Sequence, residues 1–493
     1  MPALPDWLRK RAQLSPDRLA LAAGEIRWNF RELDARVTHA AARLRALGAR
    51  AGDRVALLGR NSADYAVLVH AVSRLGAVLV PLNTRLAVPE LAWQAADSGA
   101  QLLLADDAHA RAAASVRAAT PGLALAGLDE AAGVWTGPSD LPAARFDLDH
   151  VHSLIYTSGT TGRPKGAQLT FGNHWWSATG SALNLGLRAD DVWLACLPLF
   201  HVGGLAILLR GAIYGMTVVL QPGFDPAAVS DALDEERVTH ISLVSAMLAR
   251  LLEARGEQPF PAQLRCVLLG GGPAPRPLLE QCAARGVPVV QTYGLTEAAS
   301  QVATLAPEDA LRQLGSAGRP LLPTELRIAA PEADGVGEIV IRGPTVTPGY
   351  HGQPEATARA WRDGWFHTGD LGRVDEAGYL YVLDRRDDLI ISGGENVYPA
   401  EVEAVLLAHP AVAEAGVAGA PDERWGQVPI AYVALRPGAE ASAAELQAFC
   451  AARLARYKAP ARVEFRPALP RNAAGKLLRR QLGGQAPVEA SDP

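Results

Sequence analysis

Cysteine is scarce in this chain, with four residues among 493. Cys196, Cys266, Cys282 and Cys450 stand far apart, without any Cys-x-x-Cys pair. This spacing suggests neither a disulfide framework nor a thiolate zinc site, and suits core thiols in a reducing compartment. Long runs of Lys and Arg are also missing, and the formal net charge is −5. Without a basic face nothing neutralises a phosphodiester backbone, so nucleic acid is not an expected partner. Long apolar runs are absent as well: the stretch 202–209 is too short to span a bilayer and stops at Arg210. Residues 1–13 mix Pro, Trp and basic residues, with no continuous apolar segment of signal-peptide type. The expectation is a cytoplasmic protein without integral membrane association; self-association is left open.

What is present is apolar material, 49% of the residues by a broad count, in a chain too long for one hydrophobic core. From residue 30 to 104, helix-like Ala/Leu/Arg stretches such as 35–47 alternate with short apolar runs such as 54–58 and 77–80. The rhythm continues through 217–220, 240–244, 266–269 and 287–291. Such alternation predicts the crossover units of a layered α/β domain. After Gly337 the texture changes to strand-like pieces, 338–342 and 379–383, separated by Gly and Asp turns. Beyond Asp387 a helix over 400–408 and a strand over 430–435 predict a small second domain, joined near residues 385–388. The Ala-rich stretches 108–119 and 439–452 read as ordinary helices.

Residues 156–166, Tyr-Thr-Ser-Gly-Thr-Thr-Gly-Arg-Pro-Lys-Gly, follow the apolar pair Leu154-Ile155. Glycines let backbone N–H groups approach an anion, the hydroxyls add donors and Lys165 adds charge, a combination suited to a polyphosphate. It is not a Walker A loop, because Gly166 rather than Ser or Thr follows Lys165. Nor is Ser158 in a nucleophile elbow, since Tyr156 precedes it by two. The triplet Gly270-Gly271-Gly272 is not continued into the G-x-G-x-x-G of a Rossmann oxidoreductase.

The eleven-residue loop resembles the signature of the adenylate-forming superfamily, which comprises acyl-CoA synthetases, adenylation domains and luciferases, and the resemblance runs on to Arg480. It implies an α/β fold with a large layered N-terminal domain, residues 1–386, and a small mobile α+β C-terminal domain, residues 387–493, rotating about Asp387. It implies ATP and Mg2+ as requirements and coenzyme A as co-substrate. Thr157, Ser158, Gly159, Thr160, Thr161, Gly162 and Lys165 would hold the ATP phosphates, with Gly271, Gly272 and Thr292 beside them. Within residues 291–297, Tyr293 would stack on adenine, Thr296 would contact the α-phosphate, and Glu297 would hold the metal with Thr161. Asp370 and Arg385 would take the ribose; an acceptor-only carboxylate suits two hydroxyl donors. Lys476, framed by Pro470-Arg471-Asn472 and Gly475, resembles the adenylation lysine, a long cation able to bridge the acid and the α-phosphate. Gly393 and Gly394 would admit the pantetheine arm. Trp425 matches a coenzyme A contact in some relatives, with a buried core tryptophan as the alternative.

Residues 172–175, 193–204, 270–275 and 384–396 resemble the branch of the superfamily that activates o-succinylbenzoate on the route to menaquinone. That acid carries two carboxylates, and the one kept needs a donor inside an apolar pocket. Arg210 is the candidate, against the alternative of an arginine snorkelling from a helix end. His201 would line the pocket near the reacting carboxylate, and Gly270 would form a thin wall beside the ring. Two other readings stay open: a general fatty or aryl acyl-CoA synthetase indifferent to Arg210, and an adenylating protein that never uses coenzyme A.

Overall fold

A computed structural model describes residues 3–137, 145–157, 164–271, 274, 276–309, 312–313, 315–331, 335–385, 390–397, 399–470 and 479–484. The chain forms two compact units. The larger comprises Met1–Thr84, Gln94–Tyr156 and Gly166–Leu383; the smaller comprises Asp384–Pro493 together with Arg85–Trp93 and Thr157–Lys165.

The core of the larger unit is built on a sheet whose order, among the described residues, is Arg319–Pro320, Ser300–Thr304, Val289–Leu295, Cys266–Leu269, His240–Leu243, Val192–Ala195, Thr217–Leu220, Leu19–Ala23, Ile26–Asn29. Pairing is parallel from Val289–Leu295 across to Leu19–Ala23 and antiparallel at both edges. Central strands read as unbroken apolar runs because both faces are covered; every residue of Cys266–Leu269 is buried. Each fully buried Leu or Val there contributes about 1.5–3 kcal/mol. A second sheet, with Arg54–Leu58 at its middle, pairs in parallel from Val151–Thr157 to Ala124–Gly127. The unit also holds an antiparallel sheet that includes Gly337–Arg342 and Trp365–Val374, and a short antiparallel pair, Ala3–Pro5 with Arg145–Asp147.

The strands expected over 54–58, 217–220 and 266–269 form with those bounds. Residues 287–291 do not end a strand as expected: Val289–Leu295 runs on through the motif, because Thr292–Leu295 pairs with Ser300–Thr304. The helix expected over 439–452 begins only at Ala443, where the Ser442 side chain accepts from Glu445 N–H and caps it.

The smaller unit has its own sheet, ordered Glu395–Val397, Ile390–Ser392, Gly426–Leu435, Val412–Asp422, with Arg462–Phe465 added in parallel to Gly426–Leu435. Helices Pro399–Leu407 and Ala443–Ala451 supply Val402, Leu406 and Leu446 to its core. The hairpin partner Val412–Asp422 was not anticipated from the sequence. All four cysteines are buried and unpaired, and burial pushes the thiols of Cys196 and Cys266 up to about 12, which makes them inert packing groups. No helix among the described residues is long and apolar enough to cross a membrane.

Candidate active site

In an open parallel sheet, ligands bind outside the carboxyl ends of the strands. Here Val192–Ala195, His240–Leu243, Cys266–Leu269 and Val289–Leu295 are parallel neighbours, so the segments leaving them converge on one edge. Those segments carry His201, Val244, Gly270-Gly271 and Thr296-Glu297. The sheet therefore gathers residues separated by nearly a hundred positions.

Three of the nucleotide candidates make contacts that fix them. Tyr293 and Asp370 are both buried, and the Tyr293 hydroxyl donates to Asp370 Oδ2 at 2.5 Å, joining two motifs 77 residues apart. Asp370 is aimed by its own backbone: its N–H donates to Thr368 Oγ1 at 3.1 Å, and the Thr368 hydroxyl donates to the Ile339 carbonyl at 2.7 Å. Thr292 turns its hydroxyl onto the neighbouring strand, against the Ala303 carbonyl at 3.0 Å and Thr304 Oγ1 at 2.8 Å. Only glycine fits at 294, where a Cβ would lie 1.7 Å from the Ser300 carbonyl oxygen. That close approach lets the strand swing into the one-turn helix Thr296–Ala298, which presents Thr296 and Glu297.

Gly270 and Gly271 leave the end of Cys266–Leu269; Gly271 has φ +80, and a Cβ at Gly270 would sit 3.0 Å from Thr292 Cγ2. His201 is exposed at the N-terminus of helix Val202–Arg210, its ring edge-on to Phe200. Thr157 ends one strand and Lys165 begins the next, and the Thr157 hydroxyl donates to the Lys165 carbonyl at 3.5 Å. Ser158, Gly159, Thr160, Thr161 and Gly162 between them lie outside the described residues, as do Gly272, Asp387, Lys476 and the side chain of Arg385.

Arg210 closes its helix about 13 Å along the axis from His201, at 1.5 Å per residue. It does not snorkel: the residue is 2% exposed, and its buried Nε and Nη2 have no hydrogen-bond partner among the described residues. Its guanidinium carbon lies 5.4 Å from the centroid of the Trp193 ring. That ring stacks on His240 and donates from Nε1 to Ser242 Oγ at 3.1 Å. Burial lowers the Arg210 pKa, with only Tyr214 and Cys266 acting the other way. A sealed cation with orphaned donors costs several kcal/mol unless an anion meets it.

In the smaller unit, Gly393 and Gly394 form an exposed turn between Ile390–Ser392 and Glu395–Val397, both at positive φ. The Gly393 N–H donates to the Trp425 carbonyl at 2.8 Å, and a Cβ at 393 would meet the Trp425 ring at 2.7 Å. Trp425 is 47% exposed, which rules out the core alternative and leaves a flat apolar face on the surface.

Two contacts had no sequence signal. Trp193 faces Arg210, and the Tyr350 hydroxyl donates to Glu297 Oε1 at 2.9 Å. Both depend on tertiary packing between distant segments, which neither periodicity nor motif spacing encodes.

Comparison with known proteins shows the family. The model of the AMP-binding enzyme family matches residues 8–351, and that of the AMP-binding enzyme C-terminal domain matches residues 401–476. The 2-succinylbenzoate–CoA ligase of Geobacillus kaustophilus is 54% identical over 490 residues, 98% of each chain. Among solved structures, a double mutant of the o-succinylbenzoate CoA synthetase of Bacillus subtilis, bound with its product analogue OSB-NCoA, is 46% identical. It superposes with a TM-score of 0.93 over 98% of this chain and 99% of that one. The same synthetase in complex with ATP and magnesium ion is 47% identical, with a TM-score of 0.76 over 98% of this chain and all of that one. The chain belongs to the AMP-binding enzyme family.

Proposed function

We propose that this protein activates o-succinylbenzoate with ATP and passes the acyl group to coenzyme A, on the route to menaquinone. In the first step one carboxylate oxygen bonds to the α-phosphorus and the bond to pyrophosphate breaks, leaving an acyl-adenylate. In the second the coenzyme A thiol, losing its proton, attacks the acyl carbon and AMP departs. The products are o-succinylbenzoyl-CoA, AMP and pyrophosphate.

The observation that carries the substrate is Arg210: a sealed guanidinium with orphaned donors at the end of an apolar helix. An acid whose second carboxylate survives the reaction supplies the missing anion, and a monocarboxylic fatty or aryl acid does not. Gly270 walls the ring, and His201 stands toward the reacting carboxylate. Tyr293 and Asp370 hold adenine and ribose, the carboxylate being pre-aimed by the tyrosine hydroxyl. Glu297 suits magnesium, a hard cation usually held by one or two carboxylates together with substrate phosphates. When bound, magnesium neutralises charge on the departing pyrophosphate. Lys476 would bridge acid and α-phosphate, and Asp387 would serve as pivot. The exposed turn at Gly393 and Gly394, with the ring of Trp425 packed against Gly393, would receive the pantetheine arm. Separated, buried thiols suit a cytoplasmic setting.

Incubation with ATP and o-succinylbenzoate, with and without coenzyme A, tests this. Pyrophosphate should require the acid, and thioester should appear only with coenzyme A; pyrophosphate without thioester in its presence would refute the second step. Lys476→Ala should lose most adenylation yet still form thioester from supplied acyl-adenylate.

A further inference from the structure

Glu297 sits in a single helical turn, Thr296–Ala298, which by itself gives its three side-chain torsions little restraint. The backbone around it is held from two directions. Its carbonyl accepts from the Thr347 N–H at 2.7 Å. Immediately downstream, Ala299 and Ser300 adopt φ of 52° and 110°, a region non-glycine residues rarely enter, and the Ser177 hydroxyl holds the Ala299 carbonyl at 2.6 Å. The side chain is held as well, by the Tyr350 hydroxyl at 2.9 Å from Oε1.

Tyr350 is itself well anchored. It is buried, packs in the cluster with Ile339, Ile341 and Phe366, and donates its N–H to Thr357 Oγ1 at 2.9 Å. Its turn is closed by Thr347, whose hydroxyl bonds the Gln168 and Gly349 carbonyls at 2.6 and 2.9 Å. The segment Thr347 to Tyr350 thus grips Glu297 at both backbone and carboxylate.

We propose that Tyr350 is a positioning residue for the metal step: its hydroxyl orients the Glu297 carboxylate so that magnesium arriving with ATP finds it already aimed. This rests on the reading of Glu297 as the magnesium carboxylate. A carboxylate offers about four lone-pair sites, and a phenol donor takes one of them and restrains the group's orientation. Outer-shell partners of metal ligands act in this way, and their loss typically costs 10–100-fold in metal affinity or activity.

The test is Mn2+ binding, followed by electron paramagnetic resonance, to the full-length enzyme saturated with a non-hydrolysable ATP analogue. Tyr350→Phe keeps the ring and its packing and removes only the donor. We expect it to weaken Mn2+ binding about tenfold while leaving metal-free nucleotide binding and thioester formation from supplied acyl-adenylate at wild-type levels. Glu297→Gln should weaken Mn2+ binding at least as much. Wild-type Mn2+ affinity in Tyr350→Phe, with Glu297→Gln impaired, would overturn the positioning role and leave Glu297 in place. Wild-type affinity in Glu297→Gln would remove the reading beneath it. Parallel loss of metal-free nucleotide binding in Tyr350→Phe would make the tyrosine structural and also overturn the proposal.

Discussion

Arg74 and Arg210 are both buried arginines of the same unit, and their surroundings are opposite. Arg74 Nε meets Asp6 at 2.6 Å, and its Nη atoms meet Asp34 Oδ1 at 2.5 Å, Thr38 Oγ1 at 2.7 Å and the Asp34 carbonyl at 3.0 Å. Burial alone would depress it, but Asp6 and Asp34 outweigh burial and raise its pKa. Arg210 has no carboxylate partner among the described residues, and burial prevails. A guanidinium whose three nitrogens are each met from within ties the fold together. Arg210 instead leaves Nε and Nη2 unmet among the described residues, beside Trp193, Tyr214 and His174, and under the proposed function these are the donors that would take the substrate's kept carboxylate.

Substitution should separate the two most sharply in stability. Arg74→Met strands Asp6 and Asp34 and should cost about 3–5 kcal/mol in denaturant unfolding. Arg210→Met removes an unmet charge and should leave stability equal or higher; a comparable loss would mean that Arg210 has an internal partner after all. Catalysis should reverse the order. Arg210→Leu is expected to lower kcat/KM for o-succinylbenzoate about 100-fold, the scale of a lost buried charge pair, while benzoate and hexanoate change little. Equal losses for all three acids would break the contrast.

Acid probes the histidines beside the two sites. His70 lies near Arg74 and Asp6, His174 near Arg210, and His152 contacts His174 ring to ring at 4.7 Å. Burial lowers His70 to about 4 and His174 to about 3, and lowers His152 as well. Below pH 6.5 the unfolded chain takes up protons that the folded chain refuses, so stability is full above 6.5 and falls as pH drops toward 4. Urea unfolding at pH 5 should show about 2 kcal/mol lost for each of His70 and His174. At the small end, Arg31 and Asp17 pair at 2.9 Å on the open surface, and Arg31→Ala should leave the melting temperature unchanged.

Legibility followed physical cause. Strands such as Cys266–Leu269 were readable because burial on both faces demands an unbroken apolar run. Val412–Asp422 was not, since its Ala, Gly and Pro carry little strand preference and only pairing with Gly426–Leu435 makes it a strand. The phosphate loop and the 291–297 motif were readable by resemblance to a known family. Whether Arg210 snorkelled or stood sealed was not, because an arginine ending an apolar helix looks the same in sequence either way; burial decided it. Trp425 was settled likewise, by exposure. The Tyr293–Asp370 and Tyr350–Glu297 contacts join segments 77 and 53 residues apart, and chain order carries no trace of them.

The most direct measurement is thioester formation by the unaltered enzyme from o-succinylbenzoate and from its analogue with the kept carboxylate masked as a methyl ester. The unmet guanidinium predicts a kcat/KM for the free dicarboxylate about 100-fold above that of the ester. Equal use of the two would show that Arg210 receives no substrate anion.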